Sequence, residues 1–171
     1  EHGITPETVA LLQELNLVFN NLDRLEVRGR DSSGVSLLFV VHETVYAQFY
    51  QKMEAGGLHD RFEERMAGPV LINNSIRVNT DHSEKVSVAF TYKVAKEVGS
   101  LGDNVHYLRK QVLDDSLLLK FIQCPLVDHS IVAHTRWASV GEISVPNCHP
   151  IDNGTNGSTD PGGIIHVCLN G

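Results

Sequence analysis

The sequence predicts an α+β fold. Its apolar residues switch between a helical period of three to four and short strand-length runs. They lack the strict strand–helix–strand rhythm of a doubly wound parallel sheet. At 171 residues the chain suits one domain with a sizeable core, and 42% hydrophobic with 20% charged residues is an ordinary globular balance.

The elements follow in order. Thr5-Pro6 reads as a helix start, with Thr5 as N-cap and Pro6 in the first turn. Leu11, Leu15, Val18, Leu22 and Leu25 then mark one apolar face, and the helix ends near Arg28-Gly29. "RGRDSSG" is a polar turn, and "VSLLFVV" is a strand expected to be buried on both faces. "ETVYAQFYQKMEAGG" and "LHDRFEERMAG" read as two short helices, and "VLINNSIRVN" and "KVSVAFTYKV" as two strands. Asp103 is placed to cap one helix through "NVHYLRKQVLDDSLLLKFI", with Leu108, Val112, Leu119 and Ile122 inward. "SIVAH" is a strand, and residues 141–163, dense in Gly, Pro, Asn, Asp and Ser, form a loop. "GIIHVCL" is a last buried strand, followed by Asn170-Gly171.

A net charge of -7 without a basic stripe argues against a nucleic-acid partner. No apolar run approaches the roughly 18 residues of a membrane span. "EHGITPETVA" has neither the basic nor the long apolar region of a signal peptide. Three cysteines, Cys124, Cys148 and Cys168, fit free thiols in a reducing compartment, so a cytoplasmic location is expected.

Four features compete for chemistry. "RGRDSSG" has glycines that permit unusual backbone, yet a plain connecting turn explains it, and no Lys-Ser or Lys-Thr pair follows as in a phosphate loop. Of nine histidines, His129, His134, His149 and His166 fall in the last third; none forms a helical metal pair, so no metal is expected. Cys148 and Cys124 are candidate nucleophiles with no evident activator, and Cys168 reads as a small buried hydrophobe. The fourth is "HTRWASVG" with the terminal Asn170-Gly171. Arg136 at a strand end can clamp a carboxylate through two parallel hydrogen bonds. Trp137 can close over a ligand, and Ser139 supplies a hydroxyl. Asn170 and Gly171 can offer an amide and a backbone N–H to a developing oxyanion. Taken singly, a surface arginine, a core tryptophan and a hairpin turn each explain these residues better.

Taken in order, "AHTRWASVGEISVPNCHP" followed by "IIHVCLNG" resembles the glutaminase domain of class II glutamine amidotransferases, most closely the isomerising glucosamine-6-phosphate synthases (glutamine–fructose-6-phosphate aminotransferases). "VRGRDSSG" after an amphipathic helix resembles that family's "YRGYDSAG". The likeness covers residues 5–42 and 130–171, leaving 43–129 as a family-specific insertion in an incomplete type 2 domain over 1–171. It implies part of a four-layer α/β/β/α N-terminal-nucleophile hydrolase sandwich with antiparallel sheets.

The resemblance assigns roles residue by residue. Arg136 holds the glutamine α-carboxylate, Trp137 closes over the substrate and Ser139 helps position it. Asn170 and Gly171 form the oxyanion hole, while Arg28, Asp31, Ser32 and His149 support the site. It implies hydrolysis of glutamine and transfer of ammonia to a sugar phosphate bound by an isomerase part, in a homo-oligomeric parent without a cofactor. The family's nucleophile is an N-terminal cysteine, absent from Glu1-His2-Gly3 and therefore expected upstream, so the 171 residues alone are expected to be inactive. The aspartate that receives the glutamine α-amino group is expected beyond Gly171. Val140 and Leu169 stand where the family has histidines. They motivate an alternative, a non-catalytic amino-acid-binding or regulatory module.

Overall fold

The computed structural model describes residues 4–29, 31–68, 72–82, 84–95, 100–137, 142–153 and 163–169. It is a mixed α+β structure. The helices are α1 (Pro6–Leu25), α2 (Glu43–Ala55), α3 (His59–Ala67), α4 (Asp103–Asp114) and α5 (Ser116–Phe121). The strands are β1 (Ser32–His42), β2 (Ser75–His82), β3 (Lys85–Ala95), β4 (Asp128–Arg136), β5 (Ile151–Asp152) and β6 (His166–Val167). β1 to β4 form an antiparallel sheet in the order β2-β3-β1-β4, and β5 pairs with β6 in a separate antiparallel ribbon. Among the described residues, no helix is long and apolar enough to cross a membrane.

Period-two alternation gives the sheet two unlike faces. Val35, Leu37, Phe39 and Val41 of β1 lie opposite Tyr92, Phe90, Val88 and Val86 of β3, and all are buried. The five helices add Leu11, Leu15, Phe19, Phe49, Phe62, Leu108 and Phe121, among others, to this one core. Phe121 sits at its centre, with ring centroids 4.9 Å from Phe49 and 5.5 Å from Phe39. The other face carries Ser32, Gly34 and Ser36 on β1, Thr91 and Lys93 on β3, and Arg77 on β2. The segment 142–153 and the β5/β6 ribbon cover part of that polar face.

The N-terminal helix starts as expected: Thr5 Oγ1 accepts from the Thr8 N–H at 3.2 Å. Phe19 rather than Leu25 completes its inner face, and Leu25 lies exposed on the turn into a 3-10 segment, Glu26–Arg28. Five further expectations need correction. The "SSG" of the polar turn is already strand, because Ser32, Ser33 and Gly34 pair with Arg136, Thr135 and His134. The helix expected over 104–122 breaks at Asp115, whose extended backbone starts α5 and whose carboxylate accepts from the Leu117 N–H. The N-cap of α4 is Gly102 at φ 96°, not Asp103, whose carboxylate instead accepts from the Ser100 N–H. In "GIIHVCL" only His166–Val167 is strand, and Ile165, Val167 and Leu169 are exposed rather than buried. β2 begins at Ser75, with residues 72–74 in a turn.

The 43–129 stretch is built into the same core. It supplies β2, β3 and helices α2 to α5, and β3 pairs with β1 along its full length.

Candidate functional site

Four separate sequence segments meet where β1 begins and β4 ends. β4 continues through His134, Thr135 and Arg136, so the basic and polar residues belong to the strand itself. Arg136 lies opposite Ser32 in the ladder, and its carbonyl accepts from the Asp31 N–H at 3.1 Å. Gly29 packs directly on this strand end. A Cβ there would stand 2.9 Å from the Arg136 carbonyl carbon and 3.0 Å from the Trp137 nitrogen. Only a glycine lets the two backbones approach this closely. "RGRDSSG" and "HTRW" are therefore parts of one structure, which a plain connecting turn does not require.

The third segment, "NCHP", crosses the polar face. Arg136 Nη1 reaches the Asn147 carbonyl at 3.5 Å. The Cys148 thiol is fully buried and donates to the Ser33 carbonyl at 3.0 Å. His149 sits so close over Gly34 that a Cβ on Gly34 would come within 2.1 Å of the His149 carbonyl oxygen. The His149 ring stacks beside His134, centroids 4.8 Å apart. The last segment joins through the same ring, since His149 Nδ1 accepts from the Leu169 N–H at 3.2 Å. Leu169 immediately precedes Asn170-Gly171.

The structure thus brings Asp31, Ser32, Arg136 and His149 together. Trp137 stands beside Arg136 with 69% of its surface exposed, so it is not a core tryptophan. Arg28 is exposed on the 3-10 turn that leads into Gly29. Ser139, Asn170 and Gly171, together with Val140, lie outside the described residues.

Two features are legible only in three dimensions. Lys93, opposite Gly34, is buried against the polar face, and burial holds its ammonium below the usual lysine range. Ser36 Oγ meets His166 Nδ1 and, at 3.3 Å, Thr91 Oγ1. The signal was present in the alternation. Ser36, Thr91 and Lys93 are polar residues at matching parity inside otherwise apolar strands.

Burial disfavours the thiolate form at all three cysteines. Burial pushes the Cys148 thiol up, with Lys93 offsetting only part, and burial likewise raises Cys124. Cys168 is pushed up to about 11, by burial and then by Cys148. Since the thiolate is the reactive form, none is poised to attack near neutral pH. Among the described residues, no group of three or more His, Cys, Asp or Glu side chains is placed to hold a metal.

This arrangement can present a guanidinium, an exposed aromatic ring and two histidines around one strand end, on a face rich in hydroxyls. Comparison of the chain with protein-family models, curated proteins and solved structures gave no match, so the chemistry of the cluster is read from its own residues.

Proposed function

We propose that this chain carries the glutamine pocket of a class II amidotransferase similar to the isomerising glucosamine-6-phosphate synthases. One observation supports the reading above all. The four segments that resemble the family, "RGRDSSG", "HTRW", "NCHP" and "HVCLNG", are up to about 140 residues apart in sequence, yet their described residues Gly29, Ser32, Arg136, His149 and Leu169 converge on one end of the polar sheet face. The architecture is compatible. One antiparallel sheet has helices on one face and a polar opposite face, over which a short second ribbon begins, as expected for half of an α/β/β/α sandwich.

In this reading Arg136 binds the α-carboxylate of glutamine and Trp137 covers it. A cysteine thiolate attacks the side-chain amide carbon, and Asn170 with Gly171 stabilises the oxyanion of the tetrahedral intermediate. The intermediate collapses to a thioester as ammonia leaves with a proton, and water then releases glutamate. Burial disfavours the thiolate of all three cysteines here, so none of them is assigned the attacking role. The ammonia passes to a sugar phosphate, fructose-6-phosphate in the family resembled. The same unreactive thiols also favour a second reading, a module that binds an amino acid without hydrolysing it.

The test is glutamine hydrolysis by the protein of the complete open reading frame. Arg136→Ala should raise the glutamine KM at least tenfold. Arg136→Lys should rescue little, because an ammonium lacks the paired donors of a guanidinium. Hydrolysis with an unchanged KM in Arg136→Ala overturns the clamp. Glutamine binding without hydrolysis favours the module.

A further inference from the structure

Five side chains from five different strands form one polar chain that runs through β6, buried except at its half-buried Arg77 end. Arg77 on β2 pairs with Asp152 on β5 at 3.7 Å. Asp152 faces His166 Nε2 on β6, also at 3.7 Å. His166 Nδ1 meets Ser36 Oγ on β1, which meets Thr91 Oγ1 on β3 at 3.3 Å. With Nδ1 accepting the Ser36 hydroxyl proton, the imidazole carries its own proton on Nε2, toward the Asp152 carboxylate.

A serine, a histidine and an aspartate in contact invite a hydrolytic reading. Burial argues against it. Ser36 lies within the central strand, and the His166 and Asp152 side chains are each only 7% exposed. An acyl group must come within about 3 Å of a nucleophile to react, and Ser36 is only 2% exposed. The chain's position suggests a different task. β5 and β6 pair over only two residues each, too few for a stable ribbon by themselves. Beyond Val167, the one described hydrogen bond of the segment's backbone is the Leu169 N–H to His149 Nδ1. The ribbon needs a tether to the sheet, and His166 is the side chain on β6 that supplies one.

We propose that His166 is a positioning residue: it pins β6 to the polar face of the sheet and thereby places Leu169, the residue before Asn170-Gly171 in the sequence. The pin stands on its own geometry, whereas its effect on catalysis rests on the oxyanion role proposed above for Asn170 and Gly171. The pin is also sensitive to protons. The charged groups facing the ring are Asp152, Lys93 and Arg77. Burial holds the imidazole below its usual range, Lys93 and Arg77 push the same way, and Asp152 opposes them. Protonation would turn Nδ1 from acceptor to donor and add a third cation near Lys93 and Arg77. A group held below its unfolded pKa stabilises above that value, so the pin should weaken as pH falls below about 6.5.

Three variants test this, His166→Ala, Ser36→Ala and His166→Asn, the last keeping a polar atom near the Nδ1 position. In the 171-residue chain, amide hydrogen exchange is measured at Val167 and Leu169, with Phe39 as the mid-sheet reference. His166→Ala and Ser36→Ala should each speed exchange at Val167 and Leu169 at least tenfold while Phe39 is unchanged. His166→Asn should restore most protection and remove its dependence on pH between about 7 and 5. Unchanged exchange at Val167 and Leu169 in both alanine variants overturns the pin. In the protein of the complete reading frame, His166→Ala should lower kcat for glutamine about 100- to 1,000-fold, the usual loss for an oxyanion donor, and leave KM unchanged. That is the opposite split from Arg136→Ala. Faster exchange with unaltered kcat overturns the positioning role. Absence of glutaminase activity in the unmutated protein overturns the glutaminase reading, and the exchange data still decide the pin.

Discussion

Replacing Gly34 with alanine tests the meeting of "DSSG" and "NCHP" at its tightest point. A methyl group there would lie 2.1 Å from the His149 carbonyl oxygen, where real Cβ contacts stay at or above 3.0 Å, and 3.2 Å from Pro150 Cδ. The obstacle is backbone, so relief requires β1 or the 147–150 segment to move by almost an ångström. Forcing an extra methyl into a packed site costs about 1–3 kcal/mol. The lower entropy of the unfolded alanine chain offsets about 0.4–1 kcal/mol. The net loss of roughly 1–2 kcal/mol corresponds to a Tm drop of about 2–8 °C for a chain of this size. Gly68→Ala is the control, because its added methyl would meet the Glu64 carbonyl at 3.4 Å, Ile72 Cδ1 at 3.6 Å and the Arg65 carbonyl at 3.7 Å, all ordinary contacts. The assay is thermal unfolding by circular dichroism, with the urea midpoint and slope measured alongside. The slope should stay constant while the midpoint falls. Equal stability of Gly34→Ala and the unmutated chain would refute the close packing of His149 on β1, and with it the shared site.

Two further substitutions probe buried charge. Asp115 accepts from Arg65 Nη1 at 2.6 Å, from the Tyr92 hydroxyl at 2.5 Å and from the Leu117 N–H at 3.0 Å. Asp115→Ala strands the buried Arg65 guanidinium and removes the start of α5, so urea unfolding should show a loss of about 3–5 kcal/mol. Glu26 is the reverse case: its carboxylate sits on the 3-10 segment in a residue only 1% exposed. Burial raises its pKa, with the backbone N–H groups of Gly102 and Asn104 offsetting part. A raised carboxyl pKa means stability is lost as pH rises through the folded value. Glu26→Gln should therefore raise Tm at pH 7 and lose that advantage near pH 4.

The α+β class, the capped first helix and the strand nature of β1, β3 and β4 were legible because their apolar periods are long and regular. Errors gathered where a tertiary contact overrides a local signal. Ser32, Ser33 and Gly34 read as turn chemistry, yet pairing with Arg136, Thr135 and His134 draws them into β1. Apolar periodicity runs on past Asp115, but its carboxylate serves Arg65, Tyr92 and the Leu117 N–H together, and the helix breaks there. "GIIHVCL" is apolar enough for a core strand, but it lies over a polar face with Ile165 and Leu169 turned to solvent. At the site, Arg136 and Trp137 were visible as a motif, and the structure adds the neighbours that make it a place. The close approaches at Gly29 and Gly34 depend on distant backbone, so no local pattern announces them. Ser36, Thr91 and Lys93 left a trace in strand parity that only the pairing register converts into a shared face.

Trp137 offers the most direct measurement of the central claim, that these segments form one glutamine pocket. It is the only tryptophan in the 171 residues and stands exposed beside Arg136. Its fluorescence should start at the wavelength of a solvent-exposed indole. Titration with glutamine should move it to the blue along a saturable curve as the ring closes over the ligand. The same titration of Arg136→Ala should leave the emission in place. A folded chain whose Trp137 emission ignores glutamine up to its solubility limit, or responds equally in Arg136→Ala, would contradict the account.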